Sequence, residues 1–437
     1  MEKEISKCDN ISGELILPSD KSITHRAIIL GSLCDGDVKV FNPLLAEDTI
    51  STMNAMRTLG VNIEENGDHL LIHGVGLNGL SPKDFSPVID CGNSGTTMRL
   101  LSGILAGFRF KCTLTGDESL RNRPMARITD PLSILGADIE SNEGKAPLNI
   151  NFNRPLIPPK RNPLIGGDIK IYVSSAQVKS AILFTGMYSD SKVSVTEPHK
   201  SRDHSERMLE YLGALTMVSG NQVTIFPCDS LEARDIYVPR DISSSAYFMA
   251  AAALKKHGSL TFPGVNINPT RSGIIDVLNK MGASIEIRNE RDISNEPVAD
   301  ITVSGSELNG VTIEGEQIPL LIDELPIIAV MGALAHGETI VRDAKELRNK
   351  ESDRIKLIVS NLRNMGALAE EYEDGFRIIG GMPLKGCEIE TNKDHRIAMA
   401  FSIAALFAEG QTTIKDAECV NISYPDFYED LKTCTSH

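Results

Sequence analysis

Leu59-Gly60-Val61, followed by Asn62–Gly74 (NIEENGDHLLIHG), closes a helix and opens a hairpin, and the same closure returns four more times along the chain. The later copies read Leu135-Gly136-Ala137, Leu212-Gly213-Ala214, Met281-Gly282-Ala283 and Met365-Gly366-Ala367. A glycine at that point ends a helix in the left-handed conformation. The alternating segments that follow, such as Met217–Phe226 (MVSGNQVTIF) and Ala369–Gly380 (AEEYEDGFRIIG), carry a turn signal at their centre and read as hairpins. Upstream of these elements a strand runs into a helix at LILPSDKSITHR (Leu15–Arg26), VIDCGNSGTTMR (Val88–Arg99) and IKIYVSSAQVK (Ile169–Lys179). The same junction recurs at IYVPRDISSSA (Ile236–Ala246), IPLLIDELPIIAV (Ile318–Val330) and IETNKDHRIAMA (Ile389–Ala400). The repeating unit is therefore βαβαββ, roughly 70 to 80 residues long and present six times, which makes the fold class α/β.

The sixth unit stops short of its hairpin, so another segment has to complete its sheet. Glu4–Leu17 precedes the first junction, has strand-like residues, and is predicted to supply that strand. Residues 20–237 then hold repeats one to three, and 1–19 plus 238–437 hold repeats four to six with the N-terminal strand. The chain crosses twice, near Pro18 and near Pro239, and two crossings make a hinge. A cleft between two such domains is where small molecules tend to bind. The alternative is a ring or solenoid scaffold without chemistry, and the charged residues argue against it.

Forty-one per cent of the 437 residues are apolar and 24 per cent charged, an ordinary globular composition. The longest apolar stretch, Ile397–Ala408, is too short to cross a bilayer, and no charged-then-apolar leader precedes the first repeat, so a cytoplasmic, non-membrane protein is expected. The eight cysteines form no CxxC pair and lack histidine partners, which argues against zinc and against disulfides. A net charge of −15 with no tryptophan argues against nucleic acid. Yet cations gather at the junctions: Lys21, Arg26, Arg99, Lys179, Arg240, Lys393 and Arg396. An acidic chain that concentrates its cations in this way suits a small anion.

In the first junction, Ser19-Asp20-Lys21-Ser22-Ile23-Thr24-His25-Arg26 opens a helix, where free N–H groups and the dipole already favour an anion. An ordinary Ser/Asp cap with solvated charges is the other reading, and Thr24 and His25 are assigned to packing or capping. Asn93-Ser94-Gly95-Thr96-Thr97 is a turn in which backbone approaches a ligand closely. Arg121, Arg123 and Arg127 follow, with Pro124 expected in the first turn of a helix. Ser175, Gln177 and Lys179 offer donors at the third junction. Arg202 precedes Ser205 and Glu206, which also read as helix caps. In the fifth unit Asp323 and Glu324 stand before the apolar run Leu325–Ala335, and Asp323 is the candidate base. Lys350 and Arg354 are spaced to share one helical face beside Glu351. Lys393, His395 and Arg396 open the sixth helix. No Walker loop, GxGxxG, HExxH or GxSxG occurs, so no nucleotide, flavin or metal cofactor is expected.

Taken together, DKSITHR (20–26), GNSGTTMR (92–99), RP (123–124), SAQVKSA (175–181), RDHSE (202–206), NPTR (268–271), IDELP (322–326), KESDR (350–354) and DHRIAM (394–399) resemble the enolpyruvyl transferase family along essentially the whole chain. SAQVK, RDHSE and NPTR resemble its subgroup called class II. The resemblance implies a two-domain enolpyruvyl transferase fold of six βαβαββ repeats, three per domain, in an inside-out α/β barrel. It implies transfer of the enolpyruvyl group of phosphoenolpyruvate to the 5-hydroxyl of shikimate 3-phosphate with release of phosphate, by a cofactor-free monomer. Lys21, Ser22, Arg26, Ser175, Gln177, Arg202, Asp323 and Lys350 would hold shikimate 3-phosphate. Lys21, Gly95, Arg123, Gln177, Arg354 and Arg396 would hold phosphoenolpyruvate. Asp323 would take the hydroxyl proton, Glu351 would protonate the methylene carbon, and Lys21 would stabilise charge between the substrates. A related transferase acting on UDP-N-acetylglucosamine usually has a loop cysteine where this chain has Glu118. Many relatives also place a lysine before the last Thr/Ser-Phe-Pro, whereas Ile422 precedes Ser423-Tyr424-Pro425 here.

Overall fold

In the computed structural model, which describes residues 1–151 and 164–435, each repeat builds one small sheet. In the first, Ile236–Tyr237 lies parallel to Asp37–Phe41, which pairs antiparallel with His69–His73 and so with its hairpin partner Asn62–Asn66. Four more sheets share this strand order, first, second, fourth, third of the repeat. In the second, third and fifth sheets the junction helix supplies the crossover that the two parallel strands need, whereas the last two strands need only a tight turn. Glycine closes the second helix in five repeats, with φ of +95° at Gly60, +90° at Gly136, +86° at Gly213, +94° at Gly282 and +90° at Gly366.

The chain divides into a terminal unit, Met1–Pro18, Pro239–Asp292 and Pro297–His437, and a central unit, Ser19–Val238 with Ile293–Glu296. Each has its own apolar core. The N-terminal segment contributes two strands to the terminal unit, where one was predicted. Lys3–Ser6 pairs with Gln411–Ile414 in the sixth sheet, and Ser12–Glu14 pairs with Ser259–Asn266 in the fourth. Leu15 and Leu17 are not the lead strand of the first repeat, since both are buried in the core of the terminal unit. Alternation marks a segment as a strand, but its partner is chosen by the side chains it meets in three dimensions.

The junction helices form the interior of each unit: Lys21–Ser32, Gly95–Leu105 and Ala176–Gly186 in the central one, Ile242–Leu254, Leu325–Leu334 and His395–Ala405 in the terminal one. Leu325–Leu334 is apolar all round and buried from Leu325 to Ala333. Each Leu or Ile it buries contributes about 1.5–3 kcal/mol. Helices Gly95–Leu105 and Ala176–Gly186 meet at Gly103, where a Cβ would lie 2.3 Å from Ala181 O. Any larger residue there would force the helices apart. The fifth junction departs from expectation: Ile318–Leu321 is helical and the strand is Thr312–Ile313. Pro319 explains it, because proline fits a first helical turn and removes a ladder donor. No single helix among the described residues is long and apolar enough to cross a membrane.

Candidate active site

Three helix starts carry most of the candidate ligands of the central unit. Asp20 caps Lys21–Ser32 by accepting from Ile23 N at 2.9 Å, so its carboxylate serves the backbone. Lys21 Nζ rests 3.0 Å from Asp48 Oδ2, with side chains 14% and 10% exposed. Buried Arg26 donates from Nη1 to Ser22 O (2.8 Å), from Nε to Ser205 Oγ (2.7 Å) and from Nη2 to Ser180 Oγ (3.0 Å). Burial lowers its pKa to about 10, against the pull of Glu206 and Asp20, so it is a cation at neutral pH.

Thr24 and His25 serve the interior. Thr24 Oγ1 accepts from Leu44 N, and His25 Nδ1 lies 2.6 Å from Thr52 Oγ1. Burial, then the charges of Lys21 and Arg26, hold the imidazole well below its usual value of 6.5. The folded chain therefore keeps His25 neutral while the unfolded chain protonates it below that value, and stability falls as pH falls. Urea unfolding of the full chain at about pH 7.5 and about pH 5 should show His25 costing about 1.4 kcal/mol per pH unit below its unfolded pKa. A His25→Gln variant should lose that share of the slope. An unchanged slope would mean that His25 protonates in the folded chain.

Ser94 caps Gly95–Leu105, and a Cβ on Gly95 would lie 3.1 Å from Arg99 Nη1 and 3.3 Å from Arg123 Nη1. Arg123 Nη2 donates to Asn93 Oδ1 at 2.6 Å. Pro124 is outside the following helix, which begins at Ala126, so the predicted first-turn proline is a linker between Glu118–Asn122 and Ala126–Ile134. Arg121 is exposed and Arg127 half-buried. Ser175 caps Ala176–Gly186; Gln177 accepts from Arg99 Nη1 and donates to Thr96 Oγ1 at 2.8 Å. Arg202 is half-buried in the turn before His204–Tyr211. Ser205 and Glu206 have other partners than a cap: Ser205 accepts from Arg26, and Glu206 pairs with Lys179 at 2.8 Å.

The terminal unit gathers acids and cations around Asp323. Its Oδ1 is 3.3 Å from Lys350 Nζ and 3.4 Å from Arg354 Nη1, and its Oδ2 is 3.8 Å from Arg396 Nη2. Glu351 Oε2 lies 2.5 Å from Arg354 Nη2. Asp394 caps His395–Ala405 through Arg396 N and also holds Arg354 Nε at 2.8 Å. Burial disfavours charge on Arg354, but Asp394, Glu351 and Asp323 outweigh it and raise the pKa above the ordinary guanidinium value. Arg396 is raised likewise, with Asp323, Tyr247 and Glu324 overcoming burial. Lys350 and Arg354 do not share a helical face, because Lys350 lies between the turn Lys345–Asn349 and the helix Arg354–Asn364. Their common carboxylate, Asp323, brings them together. Glu324 precedes Leu325–Leu334 without capping it, since its side chain accepts from Ser243 Oγ. Lys393 is exposed. Ile422 is half-buried against the apolar core of this unit and brings no charge.

Sequence reasoning missed Asp48, which reads as a first-turn acid, and Asp394, which reads as a cap only. It also missed the pairings at the fourth junction, where Asp241 holds Arg271 Nη2 at 2.8 Å and Ser243 reaches Glu324. No local pattern announces any of these, because each partner lies 27 or more residues away. Among the described residues no group of three or more His, Cys, Asp or Glu is placed to hold a metal ion.

The repeated α/β architecture is shared with a solved enolpyruvyl transferase and a solved EPSP synthase. The solved enolpyruvyl transferase NikO from Streptomyces tendae shares the fold, with a TM-score of 0.78 at 17% identity over 99% of this chain and 96% of that one. The profile of the EPSP synthase (3-phosphoshikimate 1-carboxyvinyltransferase) family matches residues 5–431. A 3-phosphoshikimate 1-carboxyvinyltransferase of Thermoanaerobacter sp. strain X514 is 49% identical over 98% of this chain and 99% of its own. One from Thermodesulfovibrio yellowstonii is 48% identical over 99% of both. The EPSP synthase structure from Acinetobacter baumannii superimposes with a TM-score of 0.87 at 39% identity, covering 99% of this chain and 98% of that one. The chain belongs to the EPSP synthase family and is an enzyme.

Proposed function

We propose that this enzyme transfers the enolpyruvyl group of phosphoenolpyruvate to the 5-hydroxyl of shikimate 3-phosphate, as a cytoplasmic monomer, and that the sequence-derived residues carry the reaction. The observation that supports it best is the Asp323 cluster, a carboxylate among three cations with a second carboxylate, Glu351, on the same arginine. Addition needs a base for the hydroxyl and an acid for the methylene carbon, and the two anionic substrates need cations. Asp323 takes the hydroxyl proton as the oxygen bonds to C2 of phosphoenolpyruvate, and Glu351 delivers a proton to C3. Loss of a proton from C3 and of phosphate from C2 then restores the double bond. No electrons change hands, so the scheme balances without a cofactor.

Lys21, Ser22, Arg26, Ser175, Gln177, Arg202, Asp323 and Lys350 bind shikimate 3-phosphate in this reading. Lys21, Gly95, Arg123, Gln177, Arg354 and Arg396 bind phosphoenolpyruvate, the arginines matching carboxylate and phosphate with paired donors. Purified protein should release phosphate only when both substrates are present, and UDP-N-acetylglucosamine should not replace shikimate 3-phosphate. Absence of phosphate release from the pair would overturn the proposal.

Gly95→Ala tests the phosphoenolpyruvate assignment. The added methyl would lie 3.1 Å from Arg99 Nη1 and 3.3 Å from Arg123 Nη1, so the guanidinium groups have to give by a few tenths of an ångström. An overpacking cost of about 1–3 kcal/mol predicts a rise in KM for phosphoenolpyruvate of roughly 5- to 150-fold. An unchanged value would remove Gly95 from that half of the site.

A further inference from the structure

We infer that Lys179 is a positioning residue for shikimate 3-phosphate binding, acting through the turn 197–206 that carries Arg202. The inference rests on the function proposed above. Lys179 is 1% exposed, and its Nζ lies 2.8 Å from Glu197 Oε1 and 2.8 Å from Glu206 Oε1, both carboxylates also buried. The same Nζ donates to Ser201 O at 3.1 Å. Glu197 in turn accepts from Ser201 N at 3.2 Å and from Ser201 Oγ at 2.5 Å. One ammonium on helix Ala176–Gly186 thus holds both ends of the turn and the residue immediately before Arg202.

Ties at the mouth of the same helix reinforce this one. Ser174 Oγ donates to His199 O at 2.6 Å and accepts from His199 N at 3.0 Å. Ser180 and Ser205, within 2.6 Å of each other, both accept from the Arg26 guanidinium. Arg26, Ser175, Gln177 and Arg202, all shikimate 3-phosphate ligands in our reading, are therefore referenced to one helix. Stability alone gives little reason to bury an ammonium with two carboxylates, since apolar replacements of similar volume are often as stable or more so. A buried ionic cluster does offer direction, because each hydrogen bond fixes where its partner lies.

The test compares wild type, Lys179→Met and Lys179→Arg in the phosphate-release assay, with calorimetric binding of shikimate 3-phosphate alone. For Lys179→Met, misplacement of Arg202 should raise both the KM and the Kd for shikimate 3-phosphate about 10- to 100-fold. The KM for phosphoenolpyruvate and kcat should stay within about threefold, and Lys179→Arg, which keeps the charge and donors, should recover most of the loss. A purely structural lysine would lower the melting temperature and leave the KM for shikimate 3-phosphate unchanged, which would overturn the inference. If Lys179→Met does not fold, Glu197→Gln decides, because it removes one of the two ion pairs of Lys179 and weakens the hold on Ser201 beside Arg202 while keeping a side chain of the same size. Weaker shikimate 3-phosphate binding supports the inference, and wild-type binding overturns it. Wild type that is itself inactive with both substrates would sink the proposed function instead.

Discussion

Asp323→Asn is expected to lower kcat by about 10²–10⁴, the contribution of a positioned general base, with little loss of substrate binding. Asparagine keeps the size and one acceptor oxygen, so the contacts to Lys350 and Arg354 have a partner, at 3.3 and 3.4 Å in the native chain. The negative charge disappears, and three cations then face an amide. That change favours anionic substrates, so the KM for shikimate 3-phosphate should stay level or fall while turnover collapses. Steady-state kinetics separates the two effects, because a group used in the transition state shows in kcat and one used for uniform binding shows in KM. Native kcat in Asp323→Asn would take the base role away from this residue and leave Glu351 as the carboxylate to test.

Lys21→Met should cost about 10²–10³ in kcat, the usual effect of removing one preorganised electrostatic group, and should weaken both substrates because Lys21 serves both in our reading. Methionine preserves the apolar stem, and the helix keeps its Asp20 cap, so circular dichroism should be native. The partner left behind is Asp48, 3.0 Å from the ammonium in the native chain. An uncompensated carboxylate there repels the anions that Lys21 would have attracted, so the double variant Lys21→Met/Asp48→Asn should regain part of the lost affinity but not the lost kcat. Native turnover in Lys21→Met would remove Lys21 from the site.

Much of this architecture was legible because its signals are local. The Leu-Gly or Met-Gly closures demand a left-handed residue, and φ at all five glycines is positive. The hairpins announced at Asn62–Gly74, Met217–Phe226 and Ala369–Gly380 all form, the second and third starting one residue earlier, at Thr216 and Leu368. The junction cations are legible because a helix start with Ser or Asp beside Lys or Arg is a short-range pattern. Elsewhere a local rule gave way to a competing one: Pro319 turned an expected strand into a helical turn, and Pro124 ended up between helices.

Pairings across long separations were not legible. Nothing near Asp48 names Lys21, nothing near Ser243 names Glu324, and nothing in Leu15–Leu17 says that the first repeat takes its lead strand from Ile236–Tyr237. By itself the sequence determined the repeat, the helix caps and the set of charged residues at the junctions, all consequences of backbone preference within a few residues. Tertiary structure alone decided which strand completes which sheet, which acid restrains which cation, and that Lys179 is buried between two glutamates. Burying a charge is tolerable only when the fold brings its counterion within hydrogen-bonding distance, and that distance is set by packing.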